Sequence, residues 1–72
     1  MNEKKILENF GLNFKIGRMK LKMSQDDVVE KTGFSKSYVS HVECARHNIS
    51  LVNALILSNL IGKDINEMIK EI

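Results

Sequence analysis

The chain has 72 residues with no proline, one cysteine and a formal net charge of +2. A chain of this length fits one domain, residues 1–72, and buries only about 60% of the surface of its unfolded state. Cys44 alone cannot form an internal disulfide, the longest apolar run (Ala54 to Leu57) is far too short to span a membrane, and the N-terminal segment lacks the features of a signal peptide. We therefore expect a cytoplasmic protein without a membrane segment.

The first predicted helix spans residues 4–22. As in the rest of the chain, its apolar residues recur with the 3.6-residue period of a helix and not with the period of a strand. Gly11 and Gly17 indicate a bend or a close approach of another backbone. The residues predicted to face inward are Ile6, Leu7, Phe10, Phe14 and Leu21.

The second and third helices are predicted on either side of one glycine. Ser24 begins "SQDD", a capping box in which the side chains of Ser24 and Asp27 bond to each other's backbone amide. Gly33 suits the left-handed conformation that ends a helix, and Ser35 is the N-cap of the third helix, which runs to about Ala45. The residues predicted to be buried are Val28, Val29 and Thr32 in the second helix, and Val39 and Val42 in the third.

Two further helices complete the chain. After the loop "RHNI", Ser50 caps a helix over residues 51–61 that Gly62 ends, and Asp64 caps the last helix, "INEMIKEI". Short loops join the helices. The predicted fold class is all-α: a compact five-helix domain that contains a helix-turn-helix.

The outward face of the third helix carries the residues that point to a function. They are Ser37, Ser40, His41 and Cys44, opposite the buried valines, with Lys36 and Tyr38 flanking this face at the start of the helix. A solvated helix usually carries Glu and Lys pairs instead, although an ordinary polar surface remains the alternative. Hydroxyl, imidazole and ammonium groups bond to base edges and phosphates, and the major groove, about 12 Å wide, admits one helix. Two short helices joined by a tight turn favour DNA binding, with the N-terminal end of the second helix facing a phosphate.

The segment "MSQDDVVEKTGFSKSYVSHVE" resembles the Cro/C1-type (XRE) helix-turn-helix family. The resemblance covers about residues 11–69, where "SQ", "TGFS", "YVSHVE" and "GKDINEMI" match in order and spacing. It implies a lambda repressor-like fold. Within the family, "SYVSHVECARHNISL" is most similar to restriction–modification controller proteins, small homodimers that regulate their own operon and a restriction enzyme gene.

The resemblance also implies a role for each matching residue. The base-reading positions are Lys36, Ser37, Ser40 and His41, and the phosphate positions are Gln25, Tyr38, Arg46 and Asn48, with Tyr38 close enough to reach a base as well. Arg18 and Glu43 match a buried ion pair that joins the first and third helices. Three residues depart from the family: Val29 replaces the usual alanine, Ala45 the glycine that ends the third helix, and Ile49 a proline.

The C-terminal third holds more apolar side chains than one small core can bury. The fourth helix offers for packing Leu51, Ala54, Leu55, Leu57, Ser58 and Ile61, and the last helix adds Ile65, Met68, Ile69 and Ile72. An exposed apolar patch marks an association site, and the smallest members of the family dimerise here. We expect a symmetric homodimer whose interface contains Ile56, Leu60, Met68 and Ile69, with Asn53, Asn59 and Asn66 at its rim.

Other chemistry is disfavoured by the pattern. His41, Cys44 and His47 have a spacing that zinc ligands can have, but a fourth ligand is missing, so no metal and no cofactor is expected. Five short helices leave no cleft for a cysteine–histidine nucleophile, so an enzyme is not expected. Cys44 is interpreted as an inert thiol rather than a redox sensor. The lysines on either side of Arg18 form either a basic patch or a solvated face.

Two classes of function follow. The favoured one is a sequence-specific transcriptional regulator that binds a double-stranded DNA operator, an inverted repeat, as a homodimer, with RNA polymerase as a further candidate partner. The alternative is a protein-interaction module, an antitoxin-type or phage repressor whose main role is to bind a toxin or another partner. Such an antitoxin usually needs an additional neutralising segment, for which the predicted helices leave no residues.

Overall fold

The computed structural model describes residues 2–72, which form five helices and no strand. The helices are α1 (Glu3–Lys20), α2 (Gln25–Thr32), α3 (Lys36–Glu43), α4 (Leu51–Leu60) and α5 (Ile65–Met68). The predicted all-α class and the order of five helices are therefore confirmed. The last helix ends at Met68 and is only four residues long. No helix in this described part has both the length and the apolar character needed to cross a bilayer.

The predicted caps begin and end the helices of the helix-turn-helix. Ser24 Oγ accepts a hydrogen bond from the Asp27 amide, and Asp27 Oδ2 accepts one from the Ser24 amide at 2.8 Å, so the capping box is confirmed. The Ser24 amide, together with the Ser24 hydroxyl, lowers the pKa of the Asp27 carboxyl. Ser35 caps α3, and Gly33 ends α2 with φ +78°. These local bonds set the length of both helices and the turn between them.

All five helices contribute side chains to the core. Its buried members are Phe10, Phe14, Val28, Val39, Val42, Ala54, Leu57, Ile61 and Met68. The predicted core positions of Val39 and Val42 are confirmed, whereas Val29 and Thr32 are only half-buried. Leu21 was predicted to face inward and is 53% exposed, so that prediction is wrong. The reason is that α1 ends at Lys20 and the backbone turns at Lys22 with φ +58°, which takes Leu21 off the buried stripe.

Gly11 allows α1 to lie directly against the end of α3. A Cβ atom at Gly11 would overlap the Val42 carbonyl oxygen and lie 3.0 Å from the Glu43 carbonyl oxygen. Both atoms belong to backbone that α3 fixes in place. A Cβ atom at Gly17 would come too close to Ile61 Cδ1, at 2.6 Å, which is the flexible end of a side chain, and would make ordinary contacts with Ile61 Cβ and Cγ1. Of these two glycines, only Gly11 is therefore required by the backbone packing.

Ala45 ends α3 in the left-handed conformation, with φ +57°. The Ala45 amide bonds to the Val42 carbonyl at 3.1 Å and the Arg46 amide to the His41 carbonyl at 3.0 Å, which closes the helix end. An alanine in this region costs about 1–2 kcal/mol relative to its usual conformation. The turn that the family usually builds with glycine is thus kept here with a small strain.

Two asparagines of α1 hold the short α5. Asn13 Nδ2 lies 3.0 Å from the Met68 carbonyl oxygen and 2.9 Å from that of Lys70, and Asn9 Nδ2 donates to the Ile69 carbonyl at 3.0 Å. Both amide side chains are buried. The last carbonyls of a helix have no partner within the helix, so these bonds satisfy groups that burial would otherwise leave unpaired.

We expect Gly11→Ala to lower the free energy of unfolding by about 2 kcal/mol or more, since overpacking against fixed backbone is not relieved by a rotamer change. The matched variant Gly17→Ala should cost less, because the Ile61 methyl can move and alanine favours the helix by about 1 kcal/mol. Urea unfolding followed by circular dichroism measures both. A larger loss for Gly17→Ala would contradict this account of the α1–α3 contact.

Candidate nucleic-acid interface

The helix-turn-helix consists of α2 and α3 joined through Gly33. Phe34 in the turn is half-buried, and its ring meets the Tyr38 ring edge to face at 5.1 Å between centroids. The Tyr38 hydroxyl accepts a hydrogen bond from Asn53 Nδ2 at 3.0 Å. Tyr38, which was predicted to contact phosphate or base, therefore braces α3 against α4, and this bond does not use its hydroxyl hydrogen.

The buried valines fix which side of α3 faces outward. Lys36 and Ser37 are exposed, and Ser40 and His41 are half-buried on the same helix. The four residues predicted to read bases thus lie within six residues of α3, from Lys36 to His41, a length of about 9 Å at 1.5 Å per residue. A helix with its side chains is about 10–12 Å across, which the major groove, about 12 Å wide, admits.

A buried ion pair joins α3 to α1. Arg18 Nε lies 2.7 Å from Glu43 Oε2 and Arg18 Nη2 lies 3.1 Å from Glu43 Oε1, with the two side chains only 11% and 4% exposed. Arg18 Nη1 also donates to the Met23 carbonyl at 2.8 Å. Among residues 2–72, every buried side-chain nitrogen and oxygen has a hydrogen-bond partner. The buried charges of Arg18 and Glu43 are therefore both paired and hydrogen-bonded.

Gln25 belongs to the same network. Its Nε2 donates to Glu43 Oε1 at 3.1 Å, which holds the first side chain of α2 beside the end of α3. An amide NH₂ has two hydrogens, so one remains to donate to a phosphate. The sequence predicted Gln25 as a phosphate contact, and the structure adds the carboxylate that orients it.

Lys36 has a partner that sequence reasoning missed. Its Nζ lies 3.2 Å from Asp26 Oδ1, across the gap between α3 and α2, and both side chains are largely exposed. The two positions are ten residues apart, so helical spacing alone gives no sign of the pair. An exposed pair of this kind has little effect on stability.

The loop after α3 extends the same surface. Arg46 and Asn48, predicted to grip phosphate, are exposed there. The His41 and His47 rings meet edge to face with centroids 4.6 Å apart, and Cys44 is an exposed thiol. Within the described residues, no three histidine, cysteine or carboxylate groups converge as a metal site.

The outer side of α4 is apolar. Its exposed members are Leu51, Val52, Leu55 and Ile56, which recur at the spacing of one helix face. Leu51 and Leu55 were expected to pack inward, and that prediction is wrong, because Ala54, Leu57, Ser58 and Ile61 fill the core side instead. We call these four exposed residues the α4 stripe.

Met68 was predicted to lie in a dimer interface, and its burial contradicts this. The side chain is 0% exposed and belongs to the core of a single chain. The asparagine bonds described above draw α5 onto α1, which turns Met68 inward. Leu60 and Ile69 are half-buried, and Ile56 is 40% exposed.

A helix-turn-helix family model matches residues 14–68, which is most of the chain. The chain therefore belongs to this helix-turn-helix family, and the resemblance to the Cro/C1 type is confirmed at that level. Membership supports a DNA-binding transcription regulator. Neither a comparison with curated proteins nor one with solved structures finds a match.

We expect Glu43→Ala to cost roughly 3–5 kcal/mol of folding free energy, because it leaves the Arg18 charge buried without a partner. The exposed pair provides the control: Asp26→Ala should change stability by less than about 1 kcal/mol. Thermal or urea unfolding of the two variants beside the wild type measures the difference. Similar losses for both would show that the Arg18–Glu43 pair does not anchor the fold.

Proposed function

We propose that the protein is a sequence-specific transcription regulator that binds an inverted-repeat operator as a homodimer and acts as a restriction–modification controller protein. The outward face of α3 is the observation that carries this proposal. The buried valines, Glu43 and the Tyr38–Asn53 bond hold the helix from the inside. Its opposite side is left with short polar groups and one lysine, which suit a groove better than bulk solvent.

Base reading and backbone binding are assigned to different parts of this surface. The Lys36 ammonium can bond to the O6 and N7 atoms of a guanine. Ser37, Ser40 and His41 can bond to donors or acceptors on the edges of other bases. Arg46 and Asn48 in the exposed loop bind phosphate, as does Gln25 at the positive end of α2. Contacts to phosphate set the position of α3, and contacts to base edges select the sequence.

The size of one chain supports a dimer. The longest extent of the chain is 32 Å, and α3 is a single short helix within it, so one copy reads one groove. A two-fold arrangement places the second α3 in the next major groove, about 34–36 Å away. The operator is then an inverted repeat with half-site centres one helical turn apart.

The α4 stripe is the surface that we assign to the dimer interface. We assign to it the exposed Ile56, with the half-buried Leu60 and Ile69 beside the core, and we add Leu55 and Val52 in place of Met68. A contiguous exposed apolar face of this kind is typical of an association site. The polar α3 face and the apolar α4 stripe thus divide the surface between DNA and a second copy.

The controller role rests on the resemblance of "SYVSHVECARHNISL" to those proteins. In this role the protein binds upstream of its own gene and of a restriction enzyme gene, with RNA polymerase as a further partner. The alternative, a repressor whose main partner is a toxin, would use the α4 stripe for that partner. A neighbouring gene for a restriction enzyme, a methyltransferase or a toxin distinguishes the two.

We expect selection from a random DNA pool to recover an inverted repeat. The log Kd for this site should change by about 4 to 8 per decade of salt, because cations that bind phosphate release counterions.

Lys36→Ala should lose roughly 1–3 kcal/mol of binding free energy on the selected site and broaden its sequence preference. Arg46→Ala should weaken selected and random DNA alike. Fluorescence anisotropy with both duplexes measures this. If both variants weakened selected and random DNA by one factor, the division between base reading and backbone binding would be wrong.

We expect the wild type to sediment as a dimer at micromolar concentration. Ile56→Asp places a charge in the α4 stripe and should give a monomer that binds the operator weakly, since a buried unpaired charge is costly. Leu12→Asp is the matched control, because Leu12 is 46% exposed on α1 against 40% for Ile56 on α4. A monomeric wild type, or equal effects of the two variants, would remove the α4 interface.

A further inference from the structure

We propose that Asp26 is a positioning residue for Lys36 that makes the protein more selective for its operator over random DNA. The inference rests on the proposed function and deepens it. Asp26 itself reads no base. Asp26 orients the Lys36 ammonium, and its carboxylate adds a negative charge beside that ammonium.

The capping geometry leaves Asp26 free for this role. Asp27 closes the capping box with Ser24, so the start of α2 is complete without the neighbouring carboxylate. Asp26 instead lies 3.2 Å from Lys36 Nζ, on the far side of the turn, and its side chain is 74% exposed. An acid in the first turn stabilises a helix slightly, but this position also lies beside the surface proposed to face a polyanion.

Asp26 reduces sequence-independent attraction to DNA in two ways. It pairs with the Lys36 ammonium, the cation nearest the start of α3. It also adds a full negative charge to the first turn of α2, where the exposed amides carry a partial positive charge that favours phosphate. Non-specific binding depends almost wholly on such electrostatic contacts. Asp26 therefore weakens binding to random DNA.

Binding to the operator escapes the part of this effect that acts through Lys36, whereas the charge added to α2 weakens binding to both kinds of DNA. An ammonium has three donors, so Lys36 can keep its ion pair with Asp26 and direct two donors at the O6 and N7 atoms of one guanine. The carboxylate then orients the lysine toward a base edge and away from the backbone. In random DNA a guanine occupies this position only by chance, and elsewhere Lys36 would have to leave Asp26 to reach a phosphate.

The test compares the dissociation constants of Asp26→Asn for the selected operator duplex and for a scrambled duplex of the same composition. We expect affinity for scrambled DNA to rise about two- to fivefold, the range that an exposed pair can contribute. The salt slope on scrambled DNA should steepen by about 0.9 for each protomer. Affinity for the operator should rise less or fall, so the ratio of the two constants declines.

Two controls separate positioning from bulk charge. Glu8→Gln removes the same charge from an exposed site on α1 and should shift both constants by one factor. In a Lys36→Gln background, Asp26→Asn should leave the ratio unchanged, because the residue that it positions is gone. A merely structural role for Asp26 would not depend on Lys36 in this way.

Each outcome decides the question. A ratio that falls in the wild-type background and not in the Lys36→Gln background supports the inference. It is overturned if both constants move together, if the ratio stays constant or rises, or if it falls equally without Lys36. A wild type that does not distinguish operator from scrambled DNA overturns the proposed function itself, and this shows before any variant is made.

Discussion

The arrangement of the first three helices depends on the ion pair and the hydrogen bonds that the buried Glu43 carboxylate makes. A charge this deeply buried is stable only when it is paired and hydrogen-bonded, and Glu43 takes its donors from Arg18 of α1 and Gln25 of α2. Arg18 in turn binds the Met23 carbonyl in the loop between those helices. Since Glu43 is the last residue of α3, these bonds fix the end of that helix relative to both others.

The backbone around Glu43 is shaped to allow the same contact. Gly11 brings α1 against the carbonyls of Val42 and Glu43, which places the two helices close enough for Arg18 to reach. Immediately beyond, Ala45 accepts a left-handed conformation that turns the chain sharply. The turn leaves Arg46 exposed on the loop directly after α3. A small strain at one alanine thus accompanies the loop that we assign to phosphate binding, a common place for strain in proteins.

Local chemistry explains why so much of the helix-turn-helix could be predicted from the sequence. The bonds that begin α2 and α3 involve residues three apart, as at Ser24 and Asp27, and Gly33 adopts the conformation that its lack of a side chain allows. The outward face of α3 follows from Val39 and Val42, because the helix is polar elsewhere. Such signals come from residues within about one helical turn of each other, so they can be read from the sequence.

The remaining features depend on contacts that sequence spacing does not encode. The fourth helix is apolar on all sides, so its period could not show that Leu51 and Leu55 face outward. Met68 is drawn inward by asparagine bonds that span more than fifty residues, as from Asn13 to the Met68 carbonyl. The Asp26–Lys36 pair crosses between two helices in the same way.

The surplus of apolar surface on α4 links the stability of the protein to its proposed function. A chain this small buries too little surface to be strongly stable alone, and covering the α4 stripe with a second copy adds apolar burial without adding residues. In the proposed dimer, the same association brings two α3 helices to one operator. The contacts of one α3 in one groove would give weak binding and those of two would give tight binding, so operator occupancy would depend steeply on protein concentration. A regulator of its own gene would need that dependence, and in the proposed dimer it would follow from the face of α4 that the core leaves uncovered.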